Sequence, residues 1–151
     1  MDQEKLQIFI MSISEYFKKI TGLSIETGVP FFKEEGKNVL LNYTGVIGIS
    51  GKMKGAVYIT AGEKFFSDLL EKIMPGMAKT DKRLSGMAGE LANTIAGNAQ
   101  KTLGKEFLIS IPMILTNSGD SSNNTFELQA PTFIIPLKWL DNEAFLVVGL
   151  K

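Results

Sequence analysis

Two stretches of the chain repeat their hydrophobic residues at helical spacing, and several others run as short apolar blocks. Leu6, Phe9, Ile10, Ile13, Phe17 and Ile20 follow the i, i+3, i+4 rhythm. That pattern predicts an amphipathic helix over 2–20, closed by Thr21-Gly22. A short strand is expected within 24–32, then a turn at KEEGKN. VLLNYTGVIGIS (39–50) is rich in β-branched residues and reads as a strand bulged at Gly45. GKMKG turns the chain, and AVYIT (56–60) returns as its hairpin partner. Thr60 and Glu63 stand at capping-box spacing, so a second helix should begin there and stop at Pro75-Gly76.

The second helical stretch, TDKRLSGMAGELANTIAGNAQKTLG (80–104), is the most informative. Thr80 is placed to cap it and Gly104 to end it. One face is apolar: Leu84, Ala88, Leu91 and Ile95. The opposite face carries Gly86, Glu90, Asn93 and Gly97, which fall in a strip roughly 60° wide at about 100° per residue. A carboxylate and an amide thus sit one turn apart with a glycine on either side. Each mid-helix glycine costs about 1 kcal/mol against alanine. Two of them on one polar face suggest that something approaches that face closely.

Strands are expected at 107–116, 124–129, 132–139 and 143–150, with NSGDSSNN (117–124) as a polar turn. Pro136 argues for an edge or a bulge in the third of these. The order is helix, three strands, two helices, four strands. Clustered strands predict an α+β fold, with the two long helices packed together on one face of a mostly antiparallel sheet. The 151 residues fit a single domain over 1–151.

Composition narrows the chemistry mainly by what is missing. There is no Cys and no His, which removes thiol nucleophiles, thiolate and imidazole metal sites, and Ser-His-Asp catalysis. Carboxylates, amides, hydroxyls, lysines and backbone groups remain. The 16 basic and 16 acidic residues cancel, so the basic excess of a nucleic-acid binder is absent. No apolar run reaches the ~20 residues of a membrane span, and the N-terminus lacks a basic signal-peptide region. A cytoplasmic protein is expected, with no cofactor of its own.

Other motifs have ordinary explanations. Gly45 to Gly51-Lys52 leaves five residues where a phosphate loop has four, and Met53 follows where Ser or Thr is required. A twisted hairpin accounts for these glycines. Met74, Met77 and Met87 read as scattered core residues in preference to a partner groove, and Trp139 as ordinary packing in preference to a surface anchor. By spacing alone, Glu90 and Asn93 fit a merely solvated helix face better than a site.

GELANTIAGNA resembles the signature helix of the CheX branch of the CheC/CheX/FliY family of bacterial chemotaxis phosphatases. TGVIGISGKMKGAVYIT is similar to that family's hairpin, ISIPMILT to the strand after the motif helix, and PTFIIPLKW with FLVVGLK to its terminal strands. The resemblance implies hydrolysis of the aspartyl-phosphate of a phosphorylated CheY-type response regulator. Glu90 would pair with the regulator's active-site lysine, and the Asn93 amide would orient the attacking water. Gly86 and Gly97 would let the partner close in. The Mg²⁺ would belong to the regulator, and the chain would form a homodimer joined edge to edge through its sheet. Gly86 departs from the Asp or Ser common four residues before the motif Glu, and Pro112 stands for the family's downstream proline, read here as ending or bending a strand.

Two other readings compete. Flagellar switch components of related fold bind phosphorylated regulators without cleaving them, so the chain could be a non-catalytic binding module. A third reading is a generic α+β dimerisation domain whose polar helix face is only solvated.

Overall fold

A central hairpin organises the molecule. Tyr43–Gly51 (β3) and Gly55–Ala61 (β4) pair in antiparallel register from Tyr43↔Ala61 to Ile49↔Gly55. Gly51 and Gly55 supply the positive φ angles, 94° and 149°, that the turn between them needs. A computed structural model describes residues 3–33, 39–117 and 131–151. Around the hairpin lie helix α1 (Gln3–Thr21), the short strands β1 (Glu26–Thr27) and β2 (Phe31–Phe32), and helices α2 (Glu63–Ile73) and α3 (Asp81–Leu103). Strands β5 (Phe107–Ile109), β6 (Met113–Thr116), β7 (Thr132–Trp139) and β8 (Asn142–Leu150) complete the described chain.

The sheet order is β1-β7-β8-β4-β3-β5, with β2 continuing beside β7 and β6 beside β3. Every pairing is antiparallel. Side chains alternate along the strands. Ile47, Ile49, Val57, Ile59, Leu137, Trp139, Leu146 and Val148 point to the large core shared with the helices. Val46, Tyr58, Ile134 and Val147 form a smaller apolar cluster on the opposite face. All three helices contribute to the large core, so the expected α+β layering holds, with α2 sharing the helical layer of the two long helices.

Several boundaries differ from expectation for definite reasons. Thr60 does not cap α2. It belongs to β4, where its hydroxyl lies 2.8 Å from that of Thr44 and accepts the Leu41 N–H at 2.8 Å. Asn42 Oδ1 instead accepts the Glu63 N–H at 3.0 Å, and the helix starts at Glu63. Gly45 is no bulge: it pairs regularly with Ile59 on one side and Ile114 on the other. A Cβ there would lie 2.0 Å from the Ala88 carbonyl oxygen, so the missing side chain lets α3 rest on the strand.

The expected strand 107–116 is broken in two at Ser110–Pro112. At the break, Ser110 Oγ accepts the Gly48 N–H at 2.8 Å, replacing a ladder carbonyl. Strand β7 with Pro136 is flanked on both sides, so it is neither an edge nor bulged. Its outer neighbour is interrupted between β1 and β2, opposite Pro136, where the missing N–H leaves no ladder bond unmade. Ile20 is exposed, unlike the rest of its predicted stripe. The strand expected at 124–129, most of NSGDSSNN and most of KEEGKN lie outside the described residues.

Candidate functional site

Helix α3 is a rigid mount. Thr80 caps it as expected, its side chain accepting the Arg83 N–H at 3.2 Å, and Gly104 ends it at φ 102°. Leu84, Ala88, Leu91 and Ile95 are fully buried. The Tyr43 hydroxyl donates to Asp81 Oδ1 at 2.5 Å and ties the first turn to β3. That bond is the main reason the Tyr43 phenol is pushed up to about 12, with burial adding to it.

On the opposite face Glu90 and Asn93 are exposed, and Gly86 and Gly97 are partly so. Among the described residues no hydrogen bond or ion pair restrains either polar side chain; only the Glu90 carbonyl is engaged, by Thr94 Oγ1 at 2.9 Å. The glycines of α3 divide into two kinds. A Cβ on Gly89 would meet Ile114 at 3.1 Å and Pro112 at 3.5 Å, so intramolecular packing explains that glycine. A Cβ on Gly86 or Gly97 would meet nothing within 4 Å. Packing within the described chain therefore gives no reason for the two glycines that flank Glu90 and Asn93.

Two walls border this strip. On the Asn93 side stand Pro112 and Ile114, packed against Gly89. On the Glu90 side runs α1, fastened where Ser12 Oγ donates to the Ile95 carbonyl at 2.9 Å. Tyr16 of α1 has its phenol pushed up by burial first and by the Glu90 carboxylate second. Periodicity could not reveal this neighbour, because Tyr16 lies far from Glu90 in sequence and outside the apolar stripe. The same holds for the Tyr43–Asp81 anchor.

The remaining singled-out residues are structural. Trp139 is buried against Phe17 and Phe65, with ring centroids 5.3 and 5.9 Å away. Met77 and Met87 pack on the core, while Met74 is exposed. A cleft of about 270 Å³ lies at the start of α3 between Asn42, Tyr43, Glu63, Asp81, Thr116 and Asn117, away from the Glu90 strip. Among the described residues no group of three or more acidic side chains could hold a metal ion. No helix there is long and apolar enough to cross a membrane.

The family model for the chemotaxis phosphatase CheX matches residues 43–138, from the start of the central hairpin through α3 and into β7. The chain belongs to the CheX family. The Glu90 strip lies inside the matched segment, and α1, whose Tyr16 borders it, lies outside. The fold is that of other CheX and CheC-like proteins. A CheC-like superfamily protein from Shewanella sp. PV-4 superposes with a TM-score of 0.86 at 22% identity, covering 100% of this chain and 99% of that one. The chemotaxis protein CheX of Vibrio vulnificus gives 0.82 at 20% identity, covering 98% and 99%. A complex of CheX and CheY with BeF₃ and Mg²⁺ from Borrelia burgdorferi gives 0.73 at 20% identity, covering 97% of each chain. A comparison with curated proteins finds no significant match.

Proposed function

We propose that this chain hydrolyses the aspartyl-phosphate of a phosphorylated CheY-type response regulator. The carrying observation is the pair Glu90 and Asn93, exposed and without a restraining partner among the described residues, on a helix whose other face, Leu84, Ala88, Leu91 and Ile95, is fully buried. Membership of the chemotaxis phosphatase family supports the reaction class. The Borrelia relative, whose complex includes CheY, BeF₃ and Mg²⁺, supports the partner and the assignment of the metal to it.

In this reading water attacks the phosphorus, the P–O bond to the aspartyl carboxylate breaks, and inorganic phosphate leaves. Phosphoryl transfer asks the enzyme mainly for positioning. The Asn93 amide both donates and accepts hydrogen bonds, so it can orient the water without taking its proton. Glu90 receives the ammonium of the regulator's lysine. An exposed ion pair of this kind contributes only about 0–1 kcal/mol, which suits a partner that must leave after each turnover. Gly86 and Gly97 keep the strip low enough for the regulator's loops to reach the helix. Two copies of the chain joined through their sheet edges form the working unit.

The two roles separate kinetically. Glu90→Ala should raise KM for the phosphorylated regulator and weaken binding of a BeF₃-loaded one. Asn93→Ala should leave that binding within about two-fold while turnover drops at least about a hundred-fold, of the order seen for losing one transition-state hydrogen bond. Binding without phosphate release by the wild type would favour the non-catalytic module instead.

A further inference from the structure

Between Leu84 and Gln100 the motif helix carries a single ionisable side chain, Glu90. Its cations stand at the two ends, Lys82 and Arg83 in the first turn and Lys101 in the last. The helix dipole favours a positive charge at Lys101 and disfavours one at Lys82 and Arg83.

The first turn departs from stability in a second way. Thr80 Oγ1 accepts the Arg83 N–H at 3.2 Å, which is one half of a capping box. The other half needs Glu or Gln as the third helical residue, and Arg83 holds that place. A guanidinium has donors only, so it cannot accept the Thr80 N–H in return. It donates instead to the Ala78 carbonyl at 3.2 Å, beside the start of the helix. Lys82 and Arg83 are exposed, and among the described residues neither has an ion pair. Asp81, their neighbour in sequence, is turned to the Tyr43 hydroxyl. Neither the dipole, the cap nor packing accounts for two cations here.

Helical period sets this pair at one end of the Glu90 strip. Arg83 precedes Glu90 by seven residues, so it lies within about 20° of it around the axis and about 10 Å before it along the helix. Lys82 lies within about 20° of Asn93, on the other border. The proposed partner has the charge to meet them. A protein Mg²⁺ site is built from carboxylates, and the phosphoryl group adds negative charge of its own. Glu90 alone would bring like charge to that acidic surface.

We propose that Lys82 and Arg83 form an electrostatic docking site for the acidic rim of the regulator's phosphorylation site, offsetting the repulsion from Glu90 and speeding encounter. This rests on the reading of the Glu90 strip as the surface that meets a phosphorylated regulator. About 15 Å of helix separates Arg83 from Asn93, so the pair acts on association and not on the hydrolytic step.

Stopped-flow association with a BeF₃-loaded CheY-type regulator tests it. A charge at the rim of an interface acts on the association rate and on its salt dependence. At about 0.1 M salt, Arg83→Gln should associate about three-fold more slowly and the double variant Lys82→Gln/Arg83→Gln about ten-fold, with dissociation and kcat unchanged. At about 1 M salt, where charges act over only about 3 Å, the differences should vanish. Lys54→Gln is the control: Lys54 is exposed in the turn after β3, at the end of the hairpin near Phe107, which follows α3. It should associate like wild type. The thermal midpoint of Arg83→Gln should equal or exceed that of wild type, because Gln can close the capping box.

Unchanged association in the double variant would overturn the proposal and leave the phosphatase reading standing. An equal loss in Lys54→Gln would overturn it too, by assigning the effect to overall charge. Slower association of the variants with a wild type that binds but releases no phosphate would support the docking site while the phosphatase reading failed.

Discussion

At Gly86 and Gly97 an added Cβ would meet no atom of the described residues within 4 Å, so packing there gives no reason for glycine. Glycine is nevertheless the poorer helix former by about 1 kcal/mol. Gly97→Ala should therefore raise stability by up to about that amount, seen as a higher midpoint in urea. It should also weaken binding of a phosphorylated regulator. A stabilised variant that binds as well as wild type would show that the glycine serves no partner. These residues were legible in the sequence because helical period alone sorts α3 into a core face and a free face. Tyr16 was not, since only the packing of one helix on another brings it within the electrostatic reach of Glu90. Glu90 and Asn93 stand where periodicity sets them, exposed and unrestrained.

Elements were read more reliably than their junctions. The long helix with its Thr80 cap and Gly104 end, the return strand β4 and β7 match their observed limits closely, while the strand expected from residue 39 begins only at Tyr43. Thr60 misled because its hydroxyl has two suitable uses, capping a helix or bonding within a sheet, and the Thr44 hydroxyl across the ladder decides for the second. Gly45 misled because a glycine in a strand marks either a bulge or a close approach, and only the helix above it tells which. Gly45→Ala should accordingly cost about 3 kcal/mol or more, measured by chemical denaturation, because the obstructing atoms are backbone. A cost near zero would mean that α3 can lift off β3, and the rigid-mount argument would fail.

The Tyr43–Asp81 bond makes a pH-dependent claim for the same helix. The Tyr43 phenol rises from 10.0 to about 12 on folding, so its protonated form is the one the fold favours. The stability it contributes is complete below pH 10 and is lost as pH climbs through about 12. Tyr43→Phe should be less stable than wild type by about 1 kcal/mol at neutral pH. That difference should narrow across the alkaline window. Paired urea titrations at several pH values would measure it, and a difference independent of pH would assign the loss to packing instead.

On the scale of the whole molecule, strand clustering predicted the layering, and both long helices pack on one face of an antiparallel sheet. What no pattern supplied was the sheet order, in which each outer position is filled by two short strands. The β5–β6 edge leaves Leu108, Ile111, Met113 and Ile114 exposed, and the β1–β2 edge leaves Val29, Phe31 and Phe32. Edges of this kind favour pairing with another copy. The proposed dimer predicts twice the monomer mass in sedimentation equilibrium at micromolar concentration, whereas a monomer would count against edge-to-edge assembly.

The most direct test of the central claim is the lifetime of the phosphoryl group on a CheY-type regulator, followed by phosphate release, with wild type and Asn93→Ala in parallel. The account predicts that catalytic amounts of wild type shorten the lifetime while Asn93→Ala leaves it at the regulator's own rate. Equal acceleration by both proteins would contradict the water-orienting role of Asn93, and no acceleration by either would contradict the phosphatase reading.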